Sequence, residues 1–234
     1  MTVSCIVSAY NESQLIDRCI SQLLDTLKKD FEQFELIIID DGSTDDTADK
    51  IKTAAEKDDR IVFLPNYVNL NLGSSVLRGM GVAKYDYITI NSVDLCFPIE
   101  EYKSIINEAQ NYDILVIERV GYKPVLWRRI ASNIHIFLLH ILFPIGMRGN
   151  PVTNYIQVFR KEMLPLIEPL SRSPIFFQAE MIFRAKRKGL RVGNRKVNFN
   201  DEVKRKGAFG KPHDIIWGIY DMLRYRLRSW FGNA

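Results

Sequence analysis

Apolar positions in the first ninety residues alternate between two spacings. Residues 3–8 form a short β-rich run, after which Leu15, Ile16, Cys19, Ile20, Leu23, Leu24 and Leu27 recur every three or four positions. This predicts a strand followed by an amphipathic helix. The alternation continues with an uninterrupted apolar strand at 35–39 and a helix through Ala48, Ile51, Ala54 and Ala55. Residues 61–64 and 87–90 read as further strands, with a helix over 74–83 between them. Strands that are apolar throughout, rather than at every second position, are buried on both faces. The pattern therefore predicts an α/β domain with a mostly parallel central sheet and helices on both faces.

In such a sheet, ligands bind beyond the carboxyl ends of the strands. Three polar clusters stand there: Tyr10-Asn11-Glu12 after the first strand, Asp40-Asp41 after the second, and Ser92-Val93-Asp94 after the fourth. The connectivity predicts that they meet on one rim. A dinucleotide-binding protein would place a glycine-rich turn after strand one, so that backbone can approach a pyrophosphate. The first glycine here is Gly42, which argues against nicotinamide or flavin chemistry and favours a nucleotide held by side chains and carboxylates. The run Asp40-Asp41-Gly42-Ser43-Thr44-Asp45-Asp46 also has a purely structural reading. In it, hydroxyls satisfy free amides at a helix start and acidic side chains complement the helix dipole. We assign that job to Ser43, Thr44, Asp45 and Asp46, and ligand binding to Asp40.

A chain of 234 residues with 47% hydrophobic and 26% charged positions fits one globular domain over 1–234. Cys5, Cys19 and Cys96 are widely spaced and lack a His/Cys partner motif, which argues against a disulfide framework or zinc site and suits a reducing cytosol. No secretory signal is expected from the first residues. The net charge of +4 conceals an asymmetry, because residues 184–234 hold 14 Lys/Arg against 4 Asp/Glu. A solvated surface accounts for such a stretch; so does a phosphate-bearing partner. Interleaved Trp217, Tyr220, Tyr225, Trp230 and Phe231 favour a membrane leaflet or lipid phosphate over nucleic acid.

Further segments fall into a familiar order. Ser8-Ala9-Tyr10-Asn11-Glu12 is followed by Ile39-Asp40-Asp41-Gly42-Ser43-Thr44-Asp45-Asp46-Thr47, by Asn69-Leu70-Asn71-Leu72-Gly73-Ser74-Ser75, and by Ser92-Val93-Asp94-Leu95-Cys96-Phe97-Pro98. Then come Ile117-Glu118-Arg119, Arg128-Arg129, the element from Asn150-Pro151 to Arg160-Lys161, the segment from Glu180 to Val192, and Lys204-Arg205-Lys206-Gly207. In this order the chain resembles family 2 glycosyltransferases of the GT-A (nucleotide-diphospho-sugar transferase) fold, in particular the dolichol- and polyprenyl-phosphate sugar synthases. It departs from them at Ser8 for proline, at Ser92 for the first aspartate of Asp-x-Asp, at Cys96 for glutamine, and at Asn150 for aspartate.

The resemblance implies roles. Ser8, Tyr10, Glu12, Ile38, Asp40, Ser92 and Val93 would bind the nucleotide, which is UDP- or GDP-linked. Asp94 would hold Mg2+ or Mn2+ bridging the diphosphate, since these ions take one or two carboxylates plus phosphate oxygens and water. With Ser92 offering only a neutral oxygen, that hold should be weaker than in relatives. Arg119 and Arg128 would act with Asp94 in catalysis, and Arg128, Lys204 and Lys206 would bind the acceptor phosphate. A lipid monophosphate acceptor is already largely dianionic at neutral pH and needs no strong base. A glycan hydroxyl would need one, for which Glu180 is available unless it serves an ion pair or packing.

The expected activity is inverting transfer of a sugar to a polyprenyl phosphate. The alternatives are transfer to a glycan hydroxyl in cell-surface polysaccharide synthesis, or a catalytically weak nucleotide-sugar-binding homologue. Residues 1–120 would form the nucleotide-sugar half, 121–215 the acceptor side, and 216–234 a basic aromatic helix. The apolar stretch 134–145 is too short to span a bilayer and reads as an interfacial helix, or else as a buried helix or an oligomer contact. His135 and His140 do not share a helix face and are ordinary residues. Membrane contact would be peripheral, at the cytoplasmic face.

Overall fold

The computed structural model of the chain describes residues 1–95, 99–120, 126–143, 156–174, 176–198 and 212–230. Its first half runs β1 (Thr2–Ala9), α1 (Ile16–Asp30), β2 (Gln33–Asp40), α2 (Thr47–Lys57), β3 (Ile61–Pro65), α3 (Leu72–Val82) and β4 (Tyr87–Ser92). The second half adds α4 (Tyr102–Ala109), β5 (Ile114–Val120), α5 (Leu126–Leu142), β6 (Ile156–Arg160), α6 (Leu164–Ile167), α7 (Phe177–Arg187), β7 (Val192–Asn198) and α8 (Pro212–Trp230). Seven strands form one sheet in the order β3-β2-β1-β4-β6-β5-β7. Every pairing is parallel except those of β6, which runs antiparallel to both β4 and β5.

The apolar patterning accounts for these elements. All of β2 beyond Gln33 is buried, as expected of a strand covered on both faces. Helix α1 buries Ile16, Cys19, Ile20, Leu23 and Leu27, one stripe at helical spacing, and closes on Lys28 and Lys29, whose charge suits a helix C-terminus. Its stripe joins one core with Val3, Cys5, Val7, Leu36 and Ile38. On the other face Ile6, Ile37, Ile39, Ile88 and Ile90 meet α3, α5, α7 and α8. Gly79 lets α3 approach closely, since a Cβ there would lie 2.9 Å from both Ile39 and Ile6.

Of the stretch singled out at 134–145, residues 134–142 belong to α5, which begins earlier, at Leu126, and 144–145 lie outside the described residues. Among the described residues no helix is long and apolar enough to cross a membrane. Within α5, burial holds the His135 imidazole down at about 4. Because its folded value lies below that of a free histidine, the stability it contributes is complete above about pH 6.5 and is lost as pH falls toward 4. In calorimetric melts between those limits, His135→Leu should lose less of its melting temperature than the parent; parallel curves would contradict this burial.

Candidate active site at the carboxyl rim of the sheet

The register sets the site. Ala9 pairs with Asp40, Ser8 with Ser92, and Asp40 with Pro65, so the three polar clusters stand level at the carboxyl ends of β1, β2 and β4. Asp40 and Ser92 are two strands apart, about 10 Å. β5 and β7 point to the same rim, because β6 reverses between β4 and β5 and β7 runs parallel to β5.

Two loops on this rim are laced together by side chain–backbone bonds. The Asn11 amide donates to Ser43 Oγ (2.9 Å), the Glu12 amide to Thr47 Oγ1 (2.8 Å) and the Ser13 amide to Asp45 Oδ2 (3.2 Å). Asn11 Oδ1 in return accepts the Thr44 amide at 2.8 Å. Burial would raise the Asp45 carboxyl, but hydrogen bonds from Thr47 and Ser13 outweigh it and hold it below the usual carboxylate range. The expected capping role is thus real but directed differently: Ser43, Asp45 and Thr47 satisfy amides of the β1–α1 loop. Asp45 Oδ1 also accepts the Thr47 amide at the start of α2 (3.0 Å). The laced loops fix Tyr10 at the rim, where it is exposed.

Adjacent carboxylates do different work. Asp41 is buried, and its Oδ1 accepts from Asn66 Nδ2 (2.9 Å), the Leu70 amide (2.8 Å) and Ser75 Oγ (2.7 Å). It ties the β2 loop to α3 and to the loop before it. Gly42 permits this closure: its φ is +75°, and a Cβ would stand 2.5 Å from the Val68 carbonyl carbon. Asp40, 2% exposed, accepts the Ser43 amide on Oδ2 (3.1 Å), while its Oδ1 is buried without a partner. A buried carboxylate oxygen left open at a rim is an acceptor for a ligand donor.

Two strands away, β4 ends in a turn in which the Leu95 amide donates to the Ser92 carbonyl (3.2 Å) and Leu95 adopts φ 42°. A non-glycine residue in that region is uncommon and is concentrated at functional sites. The turn brings the Ser92 hydroxyl onto Asp94 Oδ1. The serine that replaces a carboxylate therefore holds the remaining one in place. Among the described residues no three His, Cys, Asp or Glu side chains cluster as a metal site. The donor set of one carboxylate and one hydroxyl fits a divalent ion that takes most of its ligands from a diphosphate and water.

The remaining expected residues divide. Ser8 and Glu12 lie on the rim, half-buried; Val93 is buried there. The Ile38 side chain lies in the core, two residues inside the rim. Arg119 is placed on β5 opposite Val197 and Arg128 on α5, but their side chains lie outside the described residues. Lys204 and Lys206 lie wholly outside them, as do 96–98 and 150–155. Glu180 is fully buried, accepting the Leu170 amide and Arg184 Nε on Oε1 and the Ser171 amide on Oε2, each at 2.8 Å. It is a structural ion pair that anchors the loop before α7. Asp41, Asn66 and Ser75 were not marked by sequence as partners, since nothing in spacing alone says which of two neighbouring aspartates turns inward.

The seven-stranded, mostly parallel sheet with helices on both faces is that of the GT-A fold. The chain belongs to glycosyl transferase family 2, whose pattern matches residues 4–164. It is 30% identical over 135 residues, 56% of its length, to undecaprenyl-phosphate 4-deoxy-4-formamido-L-arabinose transferase of Photorhabdus laumondii, covering 41% of that protein. It is 24% identical over 98% of its length to glycosyltransferase AglD of Haloferax volcanii, covering 37% of it. The chain thus spans about two fifths of these relatives. Glucosyl-3-phosphoglycerate synthase from Mycobacterium tuberculosis, solved with Mn2+, UDP-glucose and phosphoglyceric acid, shares the fold. Its TM-score is 0.69 at 16% identity over 96% of this chain and 79% of that one.

Proposed function

We propose that the chain transfers a sugar, with inversion, from a UDP- or GDP-linked donor to a polyprenyl-phosphate-type lipid acceptor at the cytoplasmic face of a membrane. The observation that carries the donor half is the open, buried Oδ1 of Asp40, two strands from Asp94. Asp40 accepts a donor group of the base or ribose, Ser8, Tyr10, Glu12 and Val93 line the row, and Ser92 and Asp94 lie beside the diphosphate. A divalent ion there, held by Asp94 with Ser92, would stabilise charge on the departing nucleoside diphosphate. The acceptor phosphate oxygen attacks the anomeric carbon as the bond to the diphosphate breaks, and Arg119, Arg128, Lys204 and Lys206 bind that phosphate.

A specific observation favours a phosphate over a glycan hydroxyl. Glu180, the carboxylate available as a base, has both oxygens occupied by backbone amides and Arg184. An acceptor already dianionic at neutral pH needs no such base. The Photorhabdus relative carries undecaprenyl phosphate in its name, which supports the same acceptor class.

Thermal melts and calorimetry test the donor side. The correct nucleoside diphosphate at about 100 times its dissociation constant should add about 2.7 kcal/mol of stability. Ser92→Asp should tighten Mn2+ binding in the presence of that nucleotide by roughly tenfold or more, because it adds a second carboxylate. An unchanged Mn2+ affinity would place the ion elsewhere.

A further inference from the structure

One face of α8 turns charge toward its neighbours in the fold. Asp221, Arg224, Tyr225 and Arg228 follow the i, i+3, i+4, i+7 spacing of a single helix face, and they line a cleft against Ser171 and Glu180. The two carboxylates in this cleft are already occupied. Glu180 accepts from the Leu170 and Ser171 amides and from Arg184. Asp221 Oδ2 accepts from Ser171 Oγ (2.5 Å) and from the Ser173 amide (3.2 Å).

The groups left over are donors. Tyr225 is only 4% exposed, and its hydroxyl is buried with no hydrogen-bond partner, although a buried tyrosine hydroxyl ordinarily finds one. The Arg184 guanidinium lies over the Tyr225 ring, 5.5 Å from its centroid, and Arg184 Nη2 is likewise buried and unpartnered. Arg224 is exposed and Arg228 half-buried, and neither forms an ion pair among the described residues. Three arginines therefore surround two carboxylates that are themselves satisfied. A cation would meet no free acceptor of the Glu180 carboxylate, whereas an anion meets a hydroxyl and two guanidinium forks.

Shape narrows the class of anion. The enclosed volume of the cleft is about 10 Å3, room for roughly one oxygen-sized group, so the body of a larger ligand stands at the mouth beside Arg224 and Arg228. One oxygen reaching in to Tyr225 and others held outside by two separate guanidinium groups require at least three acceptor oxygens. A carboxylate has two; a phosphate monoester has three besides its ester oxygen.

We infer that the cleft between α8 and the loop before α7 is a binding site for a phosphate monoester. One phosphate oxygen accepts from the Tyr225 hydroxyl, and the others accept from Arg224 and Arg228. None of these residues belongs to the row on Asp40, Ser92 and Asp94 or to the acceptor set of Arg119, Arg128, Lys204 and Lys206. The site is thus additional to the proposed transfer centre, and it stands or falls independently of the sugar, the nucleotide and the acceptor.

The test is calorimetric titration of the full chain with glycerol 3-phosphate, with saturating nucleoside diphosphate present to keep the rim filled. Tyr225→Phe removes only the open hydroxyl, so its melting temperature should match the parent's while affinity falls roughly 10–100-fold, the worth of a hydrogen bond to a charged group. Arg224→Gln with Arg228→Gln, at positions outside the core, should lose roughly 100-fold or more. Acetate, with two oxygens, should bind far more weakly than glycerol 3-phosphate. Dihexanoyl phosphatidic acid carries the same group on acyl chains and should bind no more tightly. A parent chain that takes up no glycerol 3-phosphate at millimolar concentration overturns the site, as does an affinity unchanged in both variants. Binding of the phosphatidic acid alone would show that acyl chains, not the phosphate, are recognised, and would overturn it too. A loss in Arg128→Gln with none in Tyr225→Phe would put the bound phosphate at the acceptor site instead of the cleft.

Discussion

Asp94→Ala is expected to lower kcat/KM for sugar transfer by roughly 10^2–10^3-fold, the cost of removing one group aimed at charge developing in a transition state, with little change in melting temperature. Asp94 is partly exposed, sits beyond the end of β4 and is contacted by the Ser92 hydroxyl, so its removal opens no core. It is also the only carboxylate of the half-motif Ser92-Val93-Asp94. Asp94→Asn should be nearly as damaging as alanine, because it keeps the shape and the Ser92 contact but not the charge that a divalent ion requires. Steady-state kinetics on the two variants, with melts as a folding control, decide the matter. Transfer within a few-fold of the parent in both would remove Asp94 from the chemistry.

The second large effect separates two neighbours. Asp41→Ala strips a buried acceptor from Asn66, Ser75 and the Leu70 amide. Donors left unsatisfied in the interior cost about 1–3 kcal/mol each. A total near 3 kcal/mol would lower the melting temperature by roughly 10 °C in a chain of this size. Asp40→Asn should behave in the opposite way. Its Oδ1 has no partner to lose and the Ser43 amide still finds an oxygen, so stability should hold. Affinity for the nucleoside diphosphate should fall by roughly 10–100-fold, the worth of a hydrogen bond to a charged group. Denaturant unfolding and calorimetry on the pair would show the crossed pattern. Equal destabilisation by both would mean that Asp40 is another structural carboxylate.

The contrast shows how far sequence reaches. The parallel half of the sheet was legible, because strands such as β2 run apolar through Leu36–Ile39 and helices such as α1 carry a single stripe. Strand ends followed directly, and with them Asp40 and Asp94 as rim residues. Sequence did not show that β6 reverses direction between β4 and β5. Five residues containing a buried Gln157 carry no directional signal. Nor did it show that Ser43, Asp45 and Thr47 serve the amides of Asn11, Ser13 and Glu12, since local capping rules look only along the chain. Glu180 illustrates the same limit. Its three donors come from Leu170, Ser171 and Arg184, and two of them belong to a loop whose path is set by tertiary packing. The apolar stretch 134–145 and the aromatics Trp217, Tyr220 and Tyr225 were visible, but which of these side chains faced the core required the packing of Leu139, Met222 and Tyr225.

The most direct measurement is an extraction assay. The chain is incubated with radiolabelled UDP- and GDP-sugars, Mn2+ and a polyprenyl phosphate, and the products are partitioned between water and organic solvent. The account predicts that label from one donor enters the organic phase as a lipid-linked sugar phosphate, and that Asp94→Ala abolishes this transfer. Label that stays in the aqueous phase with every donor, or that reaches only a glycan acceptor, would contradict it.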